Sequence, residues 1–185
     1  IDESFLDMLD DIRLRLARSL KKNNIYLDGE VLTESTQRII DRLVFIRFLE
    51  DKDIEPERHI STYGEKGNAW KDFISDSKWF NAKYNGIVFR ENNIIDKPTF
   101  NGPDENEFAN ICNEISHINS PYDFRYIPIN ILGSIYERFL GKVIHATDKR
   151  ATIEEKPEVR KAGGVYYTPQ YIVAVSYTHL TLPTN

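Results

Sequence analysis

The sequence predicts a mainly α-helical protein built from several packed helices. Three stretches, residues 5–20, 33–51 and 128–140, carry apolar residues at steps of three and four, which places them on one face of a helix. None of the three alternates apolar and polar residues as a half-buried strand would. The composition, 41% hydrophobic and 29% charged, is ordinary for a soluble globular protein. At 185 residues the chain is long enough for one multi-helix domain with a real core.

Charge, cysteine content and hydropathy exclude several classes of protein. No run approaches the roughly 18 apolar residues that a membrane span needs, so we expect no membrane partner. The single cysteine, Cys112, rules out an internal disulfide framework and fits the reducing cytoplasm, where we expect the protein to reside. The 24 Lys and Arg residues are outnumbered by 29 Asp and Glu residues, a net charge of −5. Because DNA affinity depends on neutralising phosphates, this segment is not expected to be the main DNA-binding surface.

The first predicted helix, residues 5–20, has one apolar stripe on an otherwise polar surface. Arg13, Arg15 and Arg18 form a basic row on it. Such a row could contact DNA, but a solvated helix face is its more common use. The stripe consists of Leu6, Leu9, Ile12, Leu16 and Leu20.

The second predicted helix is apolar nearly all round, so we expect it to be buried between its neighbours. Polar breaks at residues 23–24 and 28–29 precede it. Thr33 or Ser35 can cap it, and it runs to Asp51. Its apolar residues are Ile39, Ile40, Leu43, Val44, Phe45, Ile46, Phe48 and Leu49.

Charged residues on this second helix are spaced for ion pairs within the helix. The spacing predicts one pair between Arg38 and Asp41, and another between Arg47 and either Glu50 or Asp51. Glu50 and Asp51 could also be a pair of catalytic carboxylates. Ion pairing is the simpler explanation, and we prefer it.

The middle of the chain is predicted to hold two shorter helices between loops at residues 54–68 and 92–105. The first, residues 70–80, is expected to bury its aromatic side chains, although two tryptophans could alternatively stack on nucleobases. An Asn-Gly turn at residues 85–86 follows it. The second, residues 107–118, is expected to turn inward Phe108, Ile111, Cys112, Ile115 and Ile118.

The cysteine and the histidines do not form a recognisable metal site. Cys112 is expected to be a small buried hydrophobe rather than a nucleophile. The four histidines are scattered without the spacing of metal ligands: His59, His117, His145 and His179.

Pro128 begins the last long helix, through residue 140, and Gly141 can cap its C-terminus. Gly133 within it allows another backbone to approach closely. Its buried stripe is Leu132, Ile135, Tyr136 and Phe139.

Residues 147–161 are charged and polar, and we expect a surface linker there. The Glu-Glu-Lys sequence at 154–156 is half of a metal-dependent nuclease pattern. That chemistry would need a buried strand end and a further carboxylate to bind Mg²⁺, so the linker interpretation is preferred.

The most informative stretch is residues 161–173, where two glycines lead into aromatic residues and a helix start. Gly163 and Gly164 can adopt positive φ and let another group approach closely. Thr168 stands at a natural N-cap position, with Pro169 at the first helical position. Free backbone N–H groups beside aromatic faces suit a small ligand with a carboxylate or other polar head group. An ordinary turn leading into a helix is the alternative.

Residues 164–169, Gly-Val-Tyr-Tyr-Thr-Pro, with Tyr-Ile-Val at 171–173, resemble the first methyl-donor motif of adenine-N6 DNA methyltransferases. The match is to the branch of type IIG restriction–modification and phage-defence methylases, in which this motif precedes the main methyl-donor and catalytic motifs. Residues 37–51 and 132–140 resemble helices that lie ahead of the motif in that family. The resemblance implies that the pocket for the amino-acid end of S-adenosylmethionine is lined by Gly164, Val165, Tyr166, Tyr167, Thr168 and Pro169.

The resemblance covers most of residues 30–174 and then stops. In the family, a strand and a glycine loop for the methyl donor would follow and build a Rossmann-like methyltransferase domain. Here residues 175–185 have no helical stripe and no glycine, and residues 176–185 read as a non-native tail. The catalytic motif Asn/Asp-Pro-Pro-Tyr/Phe is absent from the sequence.

We therefore expect a helical connector domain over residues 1–145, a linker and the start of a methyltransferase domain over 146–175, and the tail over 176–185. The chain begins at Ile1 rather than Met, and we interpret it as a piece of a longer protein.

The resemblance implies that the parent protein transfers a methyl group from S-adenosylmethionine to adenine in double-stranded DNA. The fragment itself, without a catalytic motif, is expected to be inactive and to leave most DNA contacts to other parts. Mg²⁺ would be needed only if a nuclease domain precedes residue 1. The alternative function is a non-catalytic helical scaffold or protein-interaction module.

Overall fold

The computed structural model describes residues 3–65, 67–128, 142–147 and 150–155. Across these residues the predicted mainly helical class is confirmed. They form four α-helices, Glu3–Asn23 (α1), Gly29–Asp51 (α2), Ala69–Tyr84 (α3) and Glu105–Ile115 (α4), and two strands, Lys142–Thr147 (β1) and Arg150–Glu155 (β2). Short 3-10 turns lie at Ile60–Thr62, Ile87–Phe89 and Phe124–Tyr126.

Helix α2 is the centre of the fold. Every residue from Ile39 to Asp51 is buried, as its all-round apolar sequence predicts. Helices α1 and α4, strand β1 and the three 3-10 turns all pack against α2, and α3 packs on α4. In the part of the chain that the structure describes, no helix has the length and apolar character needed to cross a membrane.

Helix α2 begins earlier than predicted. Asp28 is its N-cap, and the Asp28 carboxylate accepts a hydrogen bond from the Val31 N–H at 2.9 Å. Thr33 and Ser35, the predicted caps, lie inside the helix. Their hydroxyls donate to the carbonyls of Gly29 and Val31 at 2.6 and 2.7 Å. The prediction failed because an aspartate five residues before Thr33 caps well, whereas a hydroxyl inside a helix bonds back to the preceding turn.

The predicted stripe of α1 is largely confirmed. Leu6 is only partly buried, and Phe5 takes its place in the core. The fully buried apolar residues of the stripe are Phe5, Leu9, Ile12, Leu16 and Leu20.

Helix α3 is longer than predicted and buries Phe73 and Phe80 completely. Trp70 is half-buried against Phe73, with ring centroids 5.5 Å apart. Asn85 ends the helix with a left-handed φ of 48°, which confirms the predicted Asn-Gly turn.

Helix α4 starts at Glu105 behind the N-cap Asp104 and ends at Ile115. Cys112 is fully buried, as predicted. The inward position predicted for Ile118 is wrong: this side chain is 69% exposed, because the helix ends three residues before it.

Strands β1 and β2 form an antiparallel hairpin, here called the β-hairpin, in which Lys142 pairs with Glu155 and Ile144 with Ile153. It lies where residues 147–161 were predicted to be a linker, so that prediction is wrong for Arg150–Glu155. The predicted domain boundary between residues 145 and 146 falls inside β1. The hairpin is stabilised by burial of one face, since Ile144 and Ala151 are 1% and 3% exposed.

Candidate functional site

The residues predicted to bind the methyl donor, Gly164, Val165, Tyr166, Tyr167, Thr168 and Pro169, lie outside the described residues. So do residues 129–140 of the helix predicted to begin at Pro128, its cap Gly141, and the tail at 176–185. The structure does describe the helical body and the β-hairpin that lead into them. The contacts of the charged side chains in the helical body test the roles predicted for the arginines and the carboxylates.

The β-hairpin is attached to the helical body by a specific hydrogen bond. The Ile144 N–H donates to Thr33 Oγ1 at 2.9 Å, which joins β1 to the first turns of α2. Strand β1 packs against α2, and strand β2 packs against α1. The chain leaves the hairpin at Glu155, nine residues before Gly164.

The Glu-Glu-Lys sequence at 154–156 begins at the end of a strand, which is one feature that a nuclease site needs. Glu154 and Glu155 lie at the end of β2, whereas Lys156 is outside the described residues. A metal-dependent nuclease also needs carboxylates that converge on one ion. The described ranges contain no group of three or more His, Cys, Asp or Glu residues able to hold a metal ion.

The basic row of α1 does not form one continuous exposed edge. Arg13 is fully buried, and this burial lowers its pKa to about 10 against the opposing effect of Asp10 and Asp41. Arg18 is exposed. The row is therefore split between the core and the surface, because the three residues point to different sides of the helix.

Arg15 joins α1 to α4. Its Nε donates to Glu107 at 2.7 Å, and its Nη1 donates to Glu114 at 2.8 Å and to Asp11 at 3.1 Å. The hydrogen bond to Glu114 is the main reason that the pKa of Arg15 is raised. A guanidinium held by three carboxylates is already neutralised, so it is a poor partner for a phosphate.

Arg42 holds the loop after α3 against α2. Its two terminal nitrogens donate to the two carboxylate oxygens of Asp96 at 2.8 and 2.7 Å, and the pair is almost fully buried. Arg42 also donates to the carbonyls of Val88 and Arg90. Sequence analysis missed this interaction, because the partners are 54 residues apart and no local spacing indicates it.

Arg47 and Asp51 form the ion pair that the helical spacing predicts, with 2.8 Å between Nη2 and Oδ2. Asp51 also pairs with Arg58 at 2.8 Å and accepts the Phe124 N–H at 2.8 Å. The Arg38 ion pair shown by the structure is with Glu34, at 3.7 Å.

Asp51, and not Glu50, forms the ion pair with Arg47 that was predicted for one of these two residues. Its Oε1 accepts the backbone N–H groups of His59 and Ile60 at 2.6 and 2.9 Å, and the residue is 1% exposed. Burial raises the pKa of Glu50 against the lowering effect of these hydrogen bonds. Glu50 and Asp51 thus point to different partners, and the arrangement is not that of a pair of catalytic carboxylates.

His59 lies in a polar cluster that the sequence does not indicate. Its Nδ1 is 2.9 Å from Asp76 Oδ2, which also accepts the Tyr63 hydroxyl at 2.7 Å. Its Nε2 is 3.8 Å from Glu55 Oε1. The contact between His59 Nδ1 and Asp76 joins the turn after α2 to helix α3, whereas His59 Nε2 is buried without a hydrogen-bond partner among the described residues.

Comparison with known proteins gives one informative result. No protein-family model matches the chain, and no solved structure matches it. The chain is similar to an Escherichia coli protein named type II restriction enzyme and methyltransferase RM.Eco57I, with 27% identity over 174 residues. The alignment covers 94% of this chain but only 17% of that relative. The similarity to this relative therefore extends along nearly the whole chain.

Proposed function

We propose that this chain is part of an S-adenosylmethionine-dependent DNA adenine-N6 methyltransferase in a restriction–modification or phage-defence enzyme. The observation that carries the proposal is the Gly-Val-Tyr-Tyr-Thr-Pro sequence at 164–169. The similarity of 94% of the chain to a type II restriction enzyme and methyltransferase supports it. The chain spans 17% of that relative. The catalytic groups of the proposed enzyme would lie in other parts of the protein, since the motif Asn/Asp-Pro-Pro-Tyr/Phe is absent from this sequence.

Residues 164–169 would form one wall of the methyl-donor pocket. Backbone N–H groups of the glycine loop and of the helix start at Thr168 and Pro169 would hold the carboxylate of the amino-acid end. The aromatic faces of Tyr166 and Tyr167 would pack against the ligand. S-adenosylmethionine supplies the electrophilic methyl group, and the target adenine, flipped out of the duplex, would supply the N6 amine.

Most contacts with double-stranded DNA are proposed to lie outside this chain. Arg13 is buried, Arg15 is bound by three carboxylates, and the guanidinium groups of Arg42 and Arg47 are used inside the fold. Phosphate binding needs cations that are accessible, so these arginines are unsuited to it. The helical body is proposed to act as a connector that supports the methyl-donor segment.

Calorimetry on the full-length protein tests the pocket. Replacing Tyr167 or Thr168 by Ala should raise the dissociation constant for S-adenosylmethionine by roughly tenfold to a hundredfold, the effect of about 1–3 kcal/mol of lost contact. Affinity for duplex DNA should change little. The 185-residue chain should bind S-adenosylmethionine weakly or not at all, because one wall does not enclose a ligand.

Tyr126→Ala is a matched control, because Tyr126 is 78% exposed in the helical body. It should leave the affinity for S-adenosylmethionine unchanged. If neither Tyr167→Ala nor Thr168→Ala weakens binding, residues 164–169 are an ordinary turn, and the scaffold function replaces the methyltransferase function.

A further inference from the structure

The last turns of α1 carry exposed cations that no carboxylate neutralises. Arg18 and Lys22 lie four residues apart on one face of α1, about 6 Å along the helix axis, and both are exposed. Among the described residues, no Asp or Glu forms an ion pair with either of them. Arg15, one turn earlier, is by contrast bound by carboxylates. Although the whole chain has a net charge of −5, this end of α1 is therefore locally positive and accessible.

The turn that follows α1 is held in one conformation by hydrogen bonds. Lys21 Nζ donates to the carbonyls of Ile25 and Leu27, each at 2.7 Å. The Leu27 N–H donates to the Asn24 carbonyl at 3.1 Å. The side chains of Ile25 and Tyr26 stay 71% and 67% exposed. The turn therefore presents an aliphatic and an aromatic side chain to solvent from a fixed backbone.

A loop from later in the chain adds a third cation to this end of the helical body. The Asn101 N–H donates to Asn24 Oδ1 at 3.0 Å, so the loop is bonded directly to the turn. Lys97 precedes Asn101 by four residues, in a short turn closed by the hydrogen bond from the Phe100 N–H to the Lys97 carbonyl at 3.0 Å. Lys97 is exposed, and no carboxylate in the described part of the chain pairs with it.

We propose that Arg18, Lys22, Ile25, Tyr26 and Lys97, here called the α1–α2 surface, contact the sugar–phosphate backbone of duplex DNA. This inference rests on the proposed function, which makes duplex DNA the substrate of the full-length enzyme. Arg, Lys and Tyr side chains are among those that contact phosphates and sugars in protein–DNA complexes. Because the turn is already ordered, little conformational freedom is lost on binding. Such contacts position the duplex and carry no sequence information.

The charge pattern favours a polyanion over a protein partner. The buried centre of a protein–protein interface is depleted in charged residues, lysine in particular. Here the two exposed side chains of the turn are accompanied by three unpaired cations. The carboxylate nearest to the turn in sequence, Asp28, caps α2 by accepting the Val31 N–H. Each accessible cation releases counterions when it meets a phosphate, so a DNA backbone gains from all three.

Arg18→Gln combined with Lys22→Gln removes two of these cations, both from exposed positions. In the full-length protein, the affinity for two short duplexes of unrelated sequence should fall by roughly tenfold to thirtyfold at physiological salt, and equally for both. The slope of log affinity against log salt should fall by about 1.8, since each lost phosphate contact removes about 0.9. Fluorescence anisotropy over a series of salt concentrations measures the affinity and the slope.

Lys52→Gln combined with Arg125→Gln is the matched control. It makes the same change in net charge at the other end of α2, a helix of 23 residues and about 34 Å. Lys52 follows the helix directly, and its Nζ donates to the Arg125 carbonyl at 3.4 Å. The DNA affinity and its salt slope should change little in this control. Equal losses in the two double variants would show that only net charge matters, and would overturn the proposal.

Calorimetry with S-adenosylmethionine on the same proteins separates this inference from the proposed function. The Arg18→Gln, Lys22→Gln variant should bind S-adenosylmethionine as wild type does, whereas Tyr167→Ala should bind it more weakly. If the double variant keeps the wild-type DNA affinity and salt slope, the α1–α2 surface does not contact DNA, even where Tyr167→Ala behaves as expected. If the double variant loses DNA affinity and Tyr167→Ala has no effect, the surface stands and the methyl-donor role of residues 164–169 is wrong.

Discussion

Arg42 and Asp96 form a two-pronged ion pair in the core, with side chains that are 1% and 4% exposed. Their nitrogen–oxygen distances are 2.8 and 2.7 Å, and Asp96 also accepts the Asn92 N–H at 2.6 Å. Helix α2 and the loop that follows α3 are joined at this point. When one partner of such a pair is removed, the other charge stays buried at its full desolvation cost. It no longer has the attraction and hydrogen bonds that offset this cost.

Asp96→Ala should therefore lower the free energy of unfolding by about 3–5 kcal/mol, measured by urea denaturation. Glu34→Gln is the control, because the Glu34–Arg38 pair is half exposed and 3.7 Å apart. That change should cost less than about 0.5 kcal/mol. Equal losses in the two variants would show that the buried pair contributes no more than a surface pair.

Helical periodicity predicted where the helices lie better than it predicted which charged residues contact one another. The apolar circumference of α2 predicted its burial, and the spacing of Arg47 and Asp51 predicted their ion pair. Arg42 and Asp96 were missed, because their contact depends on how a loop 54 residues later folds back onto α2. Local patterns report neighbours in the chain, whereas such contacts depend on tertiary packing.

The β-hairpin was missed because the charged and polar character of residues 147–161 was interpreted as that of a surface linker. Strands β1 and β2 are separated by only two residues, Asp148 and Lys149, and contain several β-branched residues. The β-branched residues favour strands, but Asp148-Lys149 lacks the glycine or asparagine of a strong two-residue hairpin turn, so the signal was weak. The methyl-donor residues at 164–169 stay a prediction, since they lie outside the described part of the chain.

His59 and His117 are expected to titrate on opposite sides of the ordinary histidine pKa. Burial alone lowers the pKa of His59, but the hydrogen bond and charge of Asp76, with Glu50 and Glu55, outweigh it and raise the pKa above 6.5. Burial and the charges of Arg58 and Arg47 lower the pKa of His117. Nuclear magnetic resonance titration of both rings in one sample measures the difference directly.

The shift of His59 also predicts how stability depends on pH. Its folded-state pKa is above the unfolded value, so its contribution is complete below pH 6.5 and is lost as the pH rises through the folded-state pKa. Asp76→Asn should move the His59 titration to lower pH. The decrease in the free energy of unfolding as the pH rises should then be smaller than in wild type. An unchanged titration in Asp76→Asn would show that the Asp76 contact does not hold the histidine proton.

Gly102 is required by the position of Trp70. A Cβ atom at Gly102 would overlap the Trp70 ring, which packs against Phe108 with 5.4 Å between ring centroids. Gly102→Ala should displace this ring and lower the free energy of unfolding by about 1–3 kcal/mol. Gly86→Ala is the control, because nothing lies within 4 Å of its Cβ position and its φ is −98°. If both variants unfold at the same urea concentration, Trp70 has room to move and the constraint is absent.

Glu50 holds the turn after α2 through its acceptor oxygen rather than through its charge. Glu50→Gln keeps an oxygen for the N–H groups of His59 and Ile60, whereas Glu50→Ala leaves both donors, one half-buried and one buried, without this acceptor. Each unpaired donor costs about 1–3 kcal/mol, so the Ala variant should be much less stable than the Gln variant. Urea denaturation at neutral pH compares them.

The effect of the Glu50 charge is measured by comparing wild type with Glu50→Gln. The quantity compared is the pH dependence of the free energy of unfolding. Because burial raises the folded-state pKa of Glu50, the folded protein binds this proton more tightly than the unfolded chain does. The contribution of Glu50 is therefore complete below its unfolded pKa and decreases as the pH rises through the raised folded-state value. Glu50→Gln has no such loss, so its free energy of unfolding should improve relative to wild type as the pH rises above the ordinary glutamate pKa of about 4.3. A Gln variant that becomes relatively weaker over that range would mean that the ionised Glu50 carboxylate stabilises the turn, contrary to the burial argument.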